Sequence, residues 1–147
     1  MDINDDVFGF FHNWIEKLSG RFSLLSVICL QKGDHSLPKN VDVFSLGKES
    51  GRNRVKSLFR FYKYIWRIGK DYDAIFVHMN PIYVVLGSIF WKLNGKKIYL
   101  WHNHKQGTLV TGLAILLSDA VFYTSPQSFS ARFKKSKIMP VGIDVDH

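Results

Sequence analysis

A single cysteine, Cys29, occurs in a chain of 147 residues, so no disulfide can form within it and no thiolate cluster can hold a metal. Cys29 lies inside the apolar run Leu24 to Leu30 and reads as a buried core thiol. Long apolar runs are also missing. The two longest stretches free of Asp, Glu, Lys, Arg and His, Met79 to Trp91 and Gln106 to Ser118, fall short of the ~20 residues that a spanning helix needs. The opening MDINDD is acidic and has neither a basic n-region nor an apolar h-region, which argues against a secretory signal. These absences predict a reducing, cytoplasmic setting; a peripheral place on the inner membrane face is suggested only by the basic stripe between Arg52 and Lys70. Internal repeats and low-complexity tracts are missing too.

Phosphate-binding glycine motifs are equally scarce. The chain holds no GxGxxG, no GxxxxGK followed by Ser or Thr, and no GxSxG; Gly47 and Gly51 sit in a loop without the required spacing. Nicotinamide-dependent and P-loop chemistry therefore lose their main support, and no cofactor is expected. A chain that lacked its first strand would lose the Gly-rich turn after that strand as well.

What is present is typical of one globular domain: 46% hydrophobic and 22% charged residues. Aromatic residues reach 15%, so much apolar surface must be covered inside the fold or against a partner, including a second copy of the chain. The net charge of +8 suggests a polyanionic surface or an anionic substrate.

Asp5 or Asp6 can cap a first helix whose apolar residues Phe8, Phe11, Trp14, Ile15 and Leu18 recur at three and four, ending at Gly20. Phe22 to Leu30 and Val41 to Leu46 read as strands, joined by a loop around Pro38. From Asn53 to Gly69 the positions Val55, Leu58, Phe59, Tyr62, Ile65 and Trp66 follow helical spacing. Ala74 to Met79 reads as a strand, followed by a helix with Asn80 as its cap, Pro81 at its first position and Gly95 as its stop. Lys97 to Trp101 and Ala120 to Tyr123 are further strands, Gly107 to Ser118 and Pro126 to Phe133 helices, and Lys137 to Val141 a last strand.

Apolar strands alternating with helices predict an α/β fold with a doubly wound parallel sheet. Such domains usually open on a strand, so a chain that begins with a helix reads as lacking its first one. The expected organisation is a truncated Rossmann-like domain over 1–140, with 141–147 starting a linker to a further domain. Loss of a central strand should leave a gap between the strands at Phe22 and Ala74 or force them to pair.

Ligands of such folds bind beyond the carboxyl ends of the strands. There the sequence places His78, Met79 and Asn80; then His102, Asn103, His104 and Lys105; then Thr124 and Ser125. On extended backbone His102 and His104 point to one side and Asn103 to the other. Two histidines at this spacing could hold a metal, but no third ligand stands nearby in sequence, so hydrogen bonding to substrate is the favoured reading and no metal is expected. A histidine satisfied by a loop carbonyl is the plain structural alternative. Asn80 and Ser125 can serve as helix caps, as ligand contacts, or as both.

Between Arg52 and Lys70 lie seven basic residues and no acidic one, with Lys56, Arg60, Lys63, Arg67 and Lys70 stepping along one face. This is a solvated helix face or a docking surface for an anionic membrane. Nucleic acid is not an expected partner, because no RNP, zinc or helix-turn-helix signature accompanies the charge.

Three strings, FVHMNP, KKIYLWHNHK and KIMPVGIDVDH, in this order resemble the N-terminal, acceptor-side domain of GT-B retaining glycosyltransferases, family 4-like, over nearly the whole chain. The resemblance implies sugar transfer from a nucleotide-sugar donor, held mainly by a second domain, to a sugar or lipid-linked acceptor. It also implies that a histidine at the position of His102 faces the transferred sugar, with His104 as the reserve candidate. The family's first strand with its Gly-containing loop and its paired-glutamate donor motif are not in this sequence, so activity of this chain alone is not expected. The competing readings are a non-enzymatic basic module that binds membrane or polyanion through the Arg52 to Lys70 helix, another α/β enzyme or receiver-like domain, and a pseudo-enzyme or split gene product acting with a partner chain.

Overall fold

The computed structural model describes residues 10–51 and 53–140. Asp5, Asp6, Phe8, Arg52 and the 141–147 segment read above as a linker lie outside the described residues. The chain is α/β and Rossmann-like, with all strand pairs parallel, and it divides at Asp71 and Tyr72 into two compact units.

In the first unit, α1 (Phe10–Ser19) leads to β1 (Leu25–Cys29), β2 (Val41–Ser45) and α2 (Arg54–Arg67). β1 and β2 form a two-stranded parallel ladder, with Leu25 opposite Val41 and Cys29 opposite Ser45. Cys29 is half-buried there, and burial pushes its thiol pKa up. α1 is held by the buried His12, whose Nε2 accepts the Ser36 N–H at 3.1 Å.

α2 starts where Asn53 Oδ1 accepts the Lys56 N–H at 3.0 Å. Two bonds to the end of β2 set which way the helix faces: Tyr64 donates to the Ser45 carbonyl and Ser57 to the Leu46 carbonyl, each at 3.1 Å. The buried line therefore runs through Phe61 and Ile65. This corrects the periodicity reading. Val55, Leu58, Tyr62, Phe59 and Trp66 are exposed, the last two at 74% and 78%. The outward face thus carries an aromatic sector beside a basic one, where Lys56, Lys63, Arg67 and Lys70 are exposed and Arg60 is half-buried.

The second unit holds β3 (Ala74–His78), α3 (Ile82–Leu93), β4 (Lys97–Trp101), α4 (Leu109–Leu117), β5 (Ala120–Tyr123) and β6 (Ser136–Ile138). Its four strands pair in the order β3-β4-β5-β6. β1 and β3 belong to different ladders and do not pair with each other. α3 and α4 pack on each other and both contact β4. Beneath them Val84, Ile98, Leu100, Ala114, Ile115 and Val121 are fully buried, and each of the larger side chains contributes ~1.5–3 kcal/mol.

Several boundaries differ from expectation: the last strand runs over Ser136–Ile138 instead of starting at Lys137, β1 is shorter than the Phe22 to Leu30 run, and the helices differ as well. Pro81, not Asn80, occupies the cap position of α3; the Asn80 carbonyl accepts the Tyr83 N–H at 3.2 Å, but its side-chain amide makes no hydrogen bond with the described residues. The reason is local, since Met79 at φ 56 has already turned the chain before Asn80. α4 begins at Leu109 behind a reciprocal Thr108–Thr111 capping box. The segment read as a helix over Pro126 to Phe133 is a single 3-10 turn, Phe129–Arg132, opened by Ser128. No helix among the described residues is long and apolar enough to cross a membrane.

Candidate functional site

Parallel pairing carries β3 and β4 to a common end. His78 lies opposite Trp101, and the Met79 N–H bonds the Trp101 carbonyl at 2.8 Å. The His78 ring stacks on Trp101 with centroids 6.1 Å apart and planes 20° from parallel. Burial alone pushes its pKa down to about 4, because the apolar surroundings penalise the charged ring. Met79 adopts the left-handed conformation at φ 56, which costs an L-residue ~1–2 kcal/mol and is concentrated at functional sites.

His102 continues β4, with its N–H bonded to the Phe122 carbonyl at 3.0 Å. By strand alternation its side chain leaves the sheet on the face opposite to Trp101, and so to His78. The residue is 3% exposed. Nδ1 is paired with Ser130 Oγ at 3.1 Å, and Ser128 Oγ donates to the His102 carbonyl at 3.1 Å. No other hydrogen bond to the ring is made by the described residues, so Nε2 is the nitrogen left for a ligand. Burial, and then the neighbouring His104, push the His102 pKa down. The neutral ring presents a donor at Nε2 when Ser130 donates to Nδ1, and an acceptor when Ser130 accepts.

His104 is exposed, with its ring centroid 5.6 Å from that of His102, and Lys105 beside it is exposed too. Asn103 faces away from both rings, as alternation predicts, and its Oδ1 accepts the N–H groups of Thr124 and Ser125 at 3.1 and 3.0 Å. Its role is to tie the β4 end to the β5 end. Ser125 Oγ is engaged locally with Gln127 at 2.5 Å.

The expected residues thus fall into two groups. His102 and His104 gather at the β4 end beside Ser128 and Ser130, with the exposed Lys105 next in the chain, whereas His78 stacks on Trp101 at the β3 end and Asn80 follows it two residues on. Sequence reasoning missed Ser128 and Ser130, the two hydroxyls that set the His102 ring and backbone; the serine-rich TSPQSFS string after β5 was their only signal. Among the described residues no three His, Cys, Asp or Glu side chains come together as a metal site.

Two open cavities stand out, the second adjoining this site through Phe129, whose N–H bonds the His104 carbonyl at 2.8 Å. One of about 500 Å³ is lined by Gly47, Gly51, Asn53, Arg54, Lys56 and Arg60; the other, of about 630 Å³, by Gly107, Leu109, Gly112, Leu113, Leu116 and Phe129. Compared with protein-family models, with curated proteins and with solved structures, the chain matches none of them.

Proposed function

We propose that this chain carries the acceptor-side site of a glycosyltransferase, with His102 directed at the sugar being transferred, His104 and Lys105 beside it, and the Asn103 tie to Thr124 and Ser125 holding the β4 and β5 ends together beneath them. The observation that supports this reading is the state of His102: a buried, neutral ring at the carboxyl end of β4, anchored at Nδ1 by Ser130, with Nε2 unengaged by the described residues. A fixed neutral imidazole can orient a hydroxyl and polarise it as charge develops, at little reorganisation cost. The donor in this reading is a nucleotide-sugar, and the acceptor a sugar or a lipid-linked sugar. Transfer proceeds with retention, as the resembled family implies.

Saturation-transfer NMR of the chain against a panel of saccharides and polyprenyl-diphosphate sugars tests it. Contact of sugar protons with the protein that disappears in His102→Ala, while the folded spectrum persists, is the expected result. Saccharide contact unchanged in His102→Ala, or none in the wild-type chain, would remove the basis of the reading.

The second reading is a basic module that binds an anionic surface through α2. Its specific support is the outward face of that helix, where Phe59 and Trp66 stand beside Lys56, Lys63 and Arg67, next to the Arg54, Lys56 and Arg60 cavity. Aromatic and basic residues on one helix face suit a lipid interface. Salt-sensitive vesicle binding that is unaffected by His102→Ala would favour it.

A further inference from the structure

α4 contains no charged residue, and only part of it is covered. Thr111, Ala114 and Ile115 face the core, while Leu109 and Leu116 are 94% and 69% exposed and Leu113 is exposed between them. These three follow at intervals of four and three, so they form one outward stripe. On α3 the same happens four residues apart: Ile89 and Leu93 are 74% and 83% exposed. Because α3 and α4 pack side by side and both rest on β4, the two stripes share one outward face. The open groove of Gly112, Leu113, Leu116 and Phe129 adjoins it.

The charge of the segments that carry and follow these helices is nearly all of one sign. From Ala74 to Ser118 the sequence holds no acidic residue, while Lys92, Lys96, Lys97 and Lys105 fall within it. From Ala120 to Pro140 there is again none, against Arg132, Lys134, Lys135 and Lys137. The intervening Asp119 is engaged by Lys97 at 3.3 Å and by the Ile98 N–H at 2.9 Å.

We propose that the second unit docks on an anionic lipid surface through the outward aliphatic side chains of α3 and α4. Aliphatic groups with a basic surround are complementary to a bilayer that offers acyl chains behind anionic headgroups. A second copy of the chain fits less well, since it would bring one net-positive unit against another. A protein partner would be expected to meet Trp, Tyr or Arg anchors, whereas the exposed set named here is only leucine and isoleucine. Helices of 12 and 9 residues lie in such an interface rather than cross it. The proposal does not rest on the glycosyl-transfer reading, since neither His102 nor its serine partners takes part.

Vesicle flotation is the test, with phosphatidylglycerol–phosphatidylcholine vesicles against phosphatidylcholine alone, at low and high salt. The variants are Leu109→Asp/Leu116→Asp on α4 and Lys56→Glu/Lys63→Glu on α2. Wild-type chain should float with the anionic vesicles, less at high salt, and partitioning should drop at least tenfold in the α4 variant. Partitioning unchanged in the α4 variant would overturn the proposal, as would loss confined to the α2 variant. A dimer in sedimentation equilibrium that the α4 variant dissociates, without vesicle binding by the wild type, would assign the face to a second copy instead. If the α4 variant proves unfolded by circular dichroism, an environment-sensitive fluorophore on Leu116→Cys in a Cys29→Ser chain decides. A blue shift on anionic vesicles is expected, and an unchanged spectrum contradicts the proposal.

Discussion

Acidification should destabilise the fold through His78 before carboxylates dominate. The ring is pushed down to about 4 from 6.5 by burial, so the folded chain holds it neutral where the unfolded chain protonates it. The unfolded state therefore binds more protons between these two values, and stability is lost as pH falls from about 6.5 toward about 4. The two pKa values give a loss of about 2 kcal/mol at pH 5 and about 3 kcal/mol at pH 4 relative to pH 7. His78→Phe keeps a ring against Trp101 and removes the titration. Urea unfolding of both proteins at pH 7 and pH 5 isolates the effect, because every other titrating group is shared. The wild-type chain should lose about 2 kcal/mol more than the variant. Equal losses, or a His78 ring-proton titration midpoint near 6.5, would refute the burial argument.

Other positions give separable outcomes. Asn103→Ala leaves the Thr124 and Ser125 N–H groups without their acceptor and should cost about 1–3 kcal/mol in chemical unfolding. Asn80→Ala should leave stability within about 0.5 kcal/mol of wild type, since the side chain does not cap α3; a loss near the ~1 kcal/mol of a true cap would contradict that geometry. Gly47→Ala should destabilise by about 1–2 kcal/mol, because Gly47 has φ 86 and its Cβ would fall on the Arg60 guanidinium.

Much of the framework was legible because its boundaries are chemical. Lys97–Trp101 and Ala120–Tyr123 are strands to the residue, each preceded by a stop: Asn94 and Gly95 before one, Ser118 and Asp119 before the other. The span read as helical from Asn53 is α2, with Asn53 itself as the cap. Gly95 at φ 67 closes α3 as a left-handed residue must. What periodicity could not provide was facing and pairing. The apolar spacing in α2 did not reveal that Phe61 would turn inward and Phe59 and Trp66 outward, since Tyr64 and Ser57 set that through β2. The Phe22 to Leu30 run shortened to Leu25–Cys29 because its ladder partner β2 has only five residues. Division of the strands into two ladders depends on long-range pairing, which no local pattern encodes.

The site divides the same way. His78, His102 and their neighbours were legible as polar groups that follow apolar strands. The partners of His102 were not, because Ser128 and Ser130 reach it across 26 and 28 residues of sequence. Nor could sequence place His78 and His102 on opposite faces of the sheet, since that follows from the β3–β4 register and not from spacing.

The most direct test of the central reading is the long-range ¹H–¹⁵N spectrum of the histidine rings, assigned with His102→Ala and recorded as a sugar or polyprenyl-diphosphate sugar is added. The account predicts a neutral His102 ring at pH 7 whose Nε2 resonance moves on saturation, while Nδ1, held by Ser130, stays in place. A His102 ring that is protonated at pH 7, or whose Nε2 does not respond to any member of the panel, contradicts it.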